Sequence, residues 1–153
     1  MKKIIACLFV VAILTMLFFP CVFIRTASKE LLIYPVFSDV DFKSNYIHSV
    51  QKTPVTELFK ITPMGKIKLY ETRYRSYGVG LPFLKTEGNF SQEGDEFVLT
   101  MNREFENIAI RTGVGTEQIL SVNEKKLALY QILPAGERVE IFVKPYFIGK
   151  FLR

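Results

Sequence analysis

An all-β fold is predicted: an antiparallel sandwich or barrel of about eight strands, preceded by one N-terminal apolar, transmembrane helix. Three features carry the prediction. Short runs of β-branched and aromatic residues alternate with polar ones after residue 30. Gly, Pro, Asn and Asp punctuate those runs at close intervals. The one long uninterrupted apolar stretch lies at the N-terminus. Many short strands at regular spacing belong to sandwiches and barrels, and 153 residues make one domain.

Residues 4–24, IIACLFVVAILTMLFFPCVFI, carry no charge. A helix of that length covers about 30 Å, the depth of a bilayer's hydrocarbon core. Lys2 and Lys3 favour an N-terminus on the cytoplasmic side, although Arg25 and Lys29 weaken the asymmetry. The organisation expected is therefore a membrane anchor or uncleaved signal over 1–24, a short tether over 25–30 and a β-domain over 31–153. The protein would be a single-pass component of the cytoplasmic membrane with its β-domain on the extracytoplasmic side. A cleaved signal peptide is the competing interpretation. Such peptides have apolar cores of about 7–15 residues, and Thr26-Ala27-Ser28 offers small residues for cleavage.

Composition excludes several functions. Lysine and arginine number 20 against 15 acids, and removing Lys2 and Lys3 leaves 18 against 15. That mild, scattered excess is not the basic stripe of a nucleic-acid binder. Cys7 and Cys21 both lie in the apolar run, so the domain has neither a disulfide framework nor a thiolate metal site. No cofactor is predicted.

Strands are predicted near 31–36, 41–50, 55–62, 66–74, 95–101, 104–111, 126–133 and 137–144, with a short one near 118–122. No segment after residue 30 holds a helical period over twelve residues, and 116–127 comes nearest. Thr62-Pro63-Met64-Gly65-Lys66 and Leu133-Pro134-Ala135-Gly136-Glu137 share one turn design. Proline presets the first turn residue and glycine takes the left-handed position. The second turn would form a hairpin that places Leu129 opposite Ile141 and Leu127 opposite Val143.

The first hairpin draws attention to one histidine. With Gln51-Lys52-Thr53-Pro54 as the loop, His48 falls opposite Glu57, Tyr46 opposite Phe59 and Ser44 opposite Ile61. Continuing through the Pro63 turn places Phe59 opposite Leu69, Glu57 opposite Glu71 and Val55 opposite Arg73. His48, Glu57, Glu71 and Arg73 would then form a polar cluster on an apolar face, provided the register holds. Such a cluster either fixes strand pairing or binds a polar ligand or a partner's charged loop. No catalytic residues are assigned. Adjacent strand residues point to opposite faces, so Ser49 faces away from His48 and no triad forms. One histidine and two acids fit no known metal-ligand spacing.

Tyr74-Arg75-Ser76-Tyr77-Gly78-Val79-Gly80-Leu81-Pro82 is a glycine-containing loop with aromatics. No helix follows it, so the glycines suit a bulge or a tight bend better than a phosphate loop. The loop is also a candidate recognition surface. The last ten residues, Lys144 to Arg153, mix aromatic and basic side chains. They suit either contact with headgroups or a final edge segment packed on the core.

Tyr46-Ile47-His48-Ser49-Val50, then Thr53-Pro54-Val55 with Glu57, then Tyr77 to Pro82 resemble the small bacterial proteins called the domain of unknown function 1850 family. His48, Ser49, Glu57, Gly78, Gly80 and Pro82 match its pattern, and the resemblance is densest from Tyr46 to Pro82. It implies an N-terminal apolar segment, a β-rich remainder and an accessory role beside TRAP-type solute transporters of the TAXI class. The partner implied is the permease or the solute-binding protein. The recognition residues would be His48, Ser49, Glu57, Glu71, Arg73, Tyr77, Gly78, Gly80 and Pro82. The resemblance supplies no established activity or ligand. The alternative expectation is a small-ligand-binding or sensor module on the outer face of the cytoplasmic membrane.

Overall fold

The computed structural model describes residues 2–76 and 88–151. Helix α1 (Lys2–Phe18) leads after one residue into β1 (Pro20–Arg25). Next come β2 (Glu30–Pro35), β3 (Val40–Ile47), β4 (Pro54–Ile61), β5 (Ile67–Tyr74), β6 (Asn89–Glu93) and β7 (Glu96–Phe105). The chain continues through β8 (Asn107–Arg111), β9 (Ile119–Val122), β10 (Lys125–Ala128), the short helix α2 (Leu129–Ile132), β11 (Arg138–Pro145) and α3 (Tyr146–Phe151).

Two antiparallel sheets face each other. One has the order β2-β1-β11-β8, the other β10-β9-β3-β4-β5-β7-β6. Neither closes on itself, so the predicted choice between sandwich and barrel resolves to an open sandwich with eleven strands among the described residues. Alternation builds the core. Val22, Ile24, Val139, Ile141 and Val143 of the smaller sheet pack against Val40, Phe42, Phe59, Ile61, Ile67, Leu69, Leu120 and Val122 of the larger. Beyond that core, Val55 and Tyr74 form a second cluster with Tyr46 and Phe97.

The N-terminal apolar run is two elements, not the single helix over 4–24 that its hydropathy suggests. Pro20 stops the helix, and 20–25 becomes a central strand paired with β2 on one side and β11 on the other. Val22 and Ile24 enter the core, while Cys21 and Phe23 turn to the opposite face and pack with Phe142. Helix α3 covers that face so closely that a Cβ on Gly149 would overlap the Phe23 ring. A strand buried on both faces needs apolar residues at every position, which hydropathy does not distinguish from a membrane segment. Among the described residues, no helix is long and apolar enough to cross a membrane.

The Pro63 turn forms as expected. Gly65 sits at φ +87°, and Phe59 lies opposite Leu69. The Pro134 turn does not make a hairpin. β10 pairs with β9 in the larger sheet and β11 joins the smaller one, so Leu129 does not oppose Ile141. Leu129 instead begins α2. Gly136 is left-handed as expected, at φ +86°, but the turn is pinned to β8: Thr112 Oγ1 donates to the Pro134 carbonyl at 2.6 Å. The chain uses this turn to cross between sheets. Strand β6 escaped prediction because its side chains are all exposed and carry no apolar alternation. The residues joining it to β7, Gly94 and Asp95, did carry a hairpin signal.

Candidate functional site

The ladder between β3 and β4 keeps the predicted faces but not the predicted partners. Ser44 lies opposite Glu57, Tyr46 opposite Val55 and Phe42 opposite Phe59. The pairing is displaced by four residues, an even number, so every side chain stays on its expected face while His48 moves off the ladder. On the other side of β4, Thr72 lies opposite Glu57. Ser44, Glu57 and Thr72 therefore form one cross-strand row on the inner face of the larger sheet. Leu120 and Leu99 continue the row at its ends.

This row is polar between two apolar ones. Phe42 and Phe59 pack as a tilted pair on one side of it, 5.1 Å between ring centroids. The Tyr46, Val55, Tyr74 and Phe97 cluster lies on the other. Ser44 is 3% exposed and Thr72 1%, and neither Ser44 Oγ nor Thr72 Oγ1 has a hydrogen-bond partner. Glu57 keeps part of its surface open, yet burial pushes its carboxyl above the ordinary carboxylate range. The Ser44 hydroxyl opposes that shift from nearby, short of a formed hydrogen bond. Tyr46 is pushed up as well, first by burial and then by the neighbouring Glu57. A carboxyl that resists ionisation, flanked by two unsatisfied hydroxyls, offers donors and acceptors to any small polar group that reaches it.

His48 holds a turn. It is buried where β3 ends, and its Nδ1 accepts the backbone N–H groups of Val50 at 3.2 Å and Gln51 at 3.1 Å. The backbone N–H of His48 donates to the Thr53 carbonyl, and the backbone N–H of Lys52, at φ +55°, donates back to the His48 carbonyl. The loop spans residues 48–53, longer than the four residues expected, and Ser49 and Val50 stand exposed on it. His48 is thus not the cross-strand partner of Glu57.

Glu71 and Arg73 come together, but away from Glu57. Between Leu69 and Glu71 the ladder shifts by one residue, so Leu58 opposes Glu71 and Thr56 opposes Arg73. The bulge at Tyr70 turns both charges to the outer face, where Arg73 bonds Glu71 and reaches Glu93 at 3.0 Å and Glu96 at 3.9 Å. Arg75 adds a contact to Glu96 at 3.5 Å. The expected four-residue cluster therefore divides into a turn, an inner row and an outer ion network. Tyr77, Gly78, Gly80 and Pro82 lie outside the described residues.

Sequence reasoning missed Ser44, Thr72 and Tyr46 as neighbours of Glu57, and Glu93 and Glu96 as partners of Arg73. One signal was available. Ile67, Leu69 and Tyr74 all belong to the inner face, and their odd and even positions require a break in alternation between them. Among the described residues, no group of three or more His, Cys, Asp or Glu side chains is placed to hold a metal ion.

The family model described as "Domain of unknown function (DUF1850)" matches residues 42–129, more than half of the chain. The chain belongs to this family. The matched stretch contains the Ser44–Glu57–Thr72 row, the His48 turn and the outer ion network, whereas α1, β1, β2 and β11 lie outside it. No curated protein and no solved structure matches the chain.

Proposed function

We propose that this DUF1850 protein is a membrane-tethered accessory subunit of a TAXI-type TRAP solute transporter, with its β-sandwich on the extracytoplasmic side contacting the permease or the solute-binding protein. The observation that carries the tether is α1. Residues 2–11 are exposed without a break, and ten consecutive helical positions cover every side of a helix. An apolar helical stretch exposed on every side, as residues 2–11 are, is stable in lipid, not in water. Only Phe19 separates it from β1, so the sandwich is held against whatever α1 enters. The accessory role rests on family membership and on the neighbourhood that the family implies.

The test is purification of the tagged full-length protein from native membranes in mild detergent, with co-purified proteins identified by mass spectrometry. Recovery of the permease or solute-binding protein, lost on substituting Arg73 and Arg75 with glutamate, supports the role. A protein that stays in the membrane fraction after alkaline extraction yet brings down no transporter component overturns it. The buried row favours a second function, a module that binds a small polar ligand between Ser44, Glu57 and Thr72. Thermal stabilisation by a polar solute, abolished by Ser44→Ala with Thr72→Val, would establish it.

A further inference from the structure

We infer that the end of the sandwich from which α1 emerges is a lipid-contacting surface, seated in the headgroup zone of the bilayer; this rests on the tether proposed above. The first argument is length. The 17 residues of α1 rise about 25 Å at 1.5 Å each, against about 30 Å of hydrocarbon. A short span is accommodated by thinning the bilayer or by drawing flanking residues inward. Here the flanking residues are the folded domain. Phe19 alone joins α1 to β1, and Pro20 is already registered against Pro145, so no slack lets the domain stand away from the membrane.

The second argument is what that end displays. Three separate pieces of chain bring apolar side chains to the exit of α1. Phe37, between β2 and β3, is 73% exposed and packs its ring 5.3 Å from Phe19. Met64, at the tip of the β4–β5 turn, is 87% exposed. Tyr146 stacks on Phe19 at 5.8 Å, and Phe147 beside it is exposed. Phe18, Met64, Lys66 and Lys144 line one open cleft of about 410 Å³. Solvent-facing phenylalanine and methionine at the tips of turns add nothing to the core. Around the base of an apolar helix, together with tyrosine and lysine, they form the mixture that settles at a membrane interface. The missing depth of α1 is supplied by this rim. The sandwich then stands end-on, with the His48 turn at the far ends of β3 and β4, pointing away from the bilayer.

The chain contains no tryptophan, so single substitutions make clean fluorescent reporters. Full-length Phe9→Trp, Phe37→Trp, Met64→Trp, Phe147→Trp and Val50→Trp variants would be reconstituted in phosphatidylethanolamine–phosphatidylglycerol vesicles carrying lipids brominated at shallow or deep acyl positions. The expected result is quenching of Phe9→Trp by deep bromines. Phe37→Trp and Met64→Trp should lose at least half their intensity to shallow bromines, with Val50→Trp unaffected. Phe147→Trp is a third interfacial reporter should either of those two fail to fold. Interfacial reporters that behave like Val50→Trp while Phe9→Trp is quenched overturn the docked surface and leave the tether standing. An unquenched Phe9→Trp overturns both.

Discussion

At the scale of single residues, Glu57 sets the pH response. Unfolded, its carboxyl titrates near the ordinary value of about 4.3; folded, burial raises it. Between the two values the folded chain binds more protons than the unfolded one. The favourable contribution is therefore complete below the ordinary value and is lost as pH rises through the raised folded value. Glu57→Gln keeps the shape and cannot ionise. Urea denaturation in detergent should find it close to the parent at pH 4 and more stable than the parent at pH 8. A loss at both pH values would mean that a cation meets the carboxylate, as the sequence-derived pairing with His48 had suggested. His48 responds differently because its imidazole accepts two backbone N–H groups. His48→Ala should cost about 1–3 kcal/mol by leaving them unpaired. His48→Asn, whose side-chain oxygen can accept the same turn's N–H groups, should recover most of that loss. The pair of substitutions separates a turn-holding histidine from a ligand-binding one, since alanine and asparagine would abolish ligand contact alike.

At the scale of elements, legibility followed how much of each strand faced water. Strands β3, β4 and β5 are covered on one face and wet on the other, so their alternation was plain and their inner faces were read correctly up to Leu69. Partners were harder, because an even displacement leaves every face unchanged and no hydropathy pattern reports it. The loop decided the register, and the hydrogen bonds of His48 made that loop longer than its proline suggested. The bulge at Tyr70 was the opposite case, since a one-residue shift reverses the faces of Glu71 and Arg73. At the extremes, β1 is covered on both faces and β6 on neither, and each lost the alternation that marks a strand. Helix α3 was invisible in a ten-residue tail of aromatics and lysines, yet its place is fixed by one contact. Gly149 leaves no room for a side chain against Phe23, and the ring is itself locked by stacking on Phe142 at 5.3 Å. Gly149→Ala should lower stability by about 1–3 kcal/mol, the usual cost of overpacking, and Gly149→Leu should detach α3. Thermal melting would show the first, and faster amide exchange over residues 146–151 the second. Tolerance of leucine without either change would mean that α3 does not rest on β1.

At the scale of the whole molecule, the boundary between the N-terminal helix and the sandwich is the point at issue. Hydropathy puts an apolar segment over 1–24, a tether over 25–30 and the domain from residue 31; in the structure the strand pairing of the sandwich already begins at Pro20. The difference is one strand, and that strand is central, since β1 hydrogen-bonds to β2 and β11 at once. Its Cys21, Val22, Phe23 and Ile24 are all buried. Burying each large apolar side chain contributes about 1.5–3 kcal/mol, and a domain of this size has a net stability of about 5–15 kcal/mol in total. Removing β1 therefore takes away a stabilisation comparable to the whole. It also leaves β2 with no partner in its sheet and exposes the edge of β11. A chain beginning at Phe19 should lack the membrane association proposed for α1 and still melt cooperatively in detergent-free buffer. A chain beginning at Thr26 should aggregate or show no cooperative transition. Circular dichroism melts of the two, run beside a sedimentation assay, separate the possibilities. Should the shorter chain fold like the longer, β1 would not belong to the domain, and the apolar run would again be one continuous segment. Should neither fold, α1 would be part of the core and its exposed surface would need a protein partner instead of lipid.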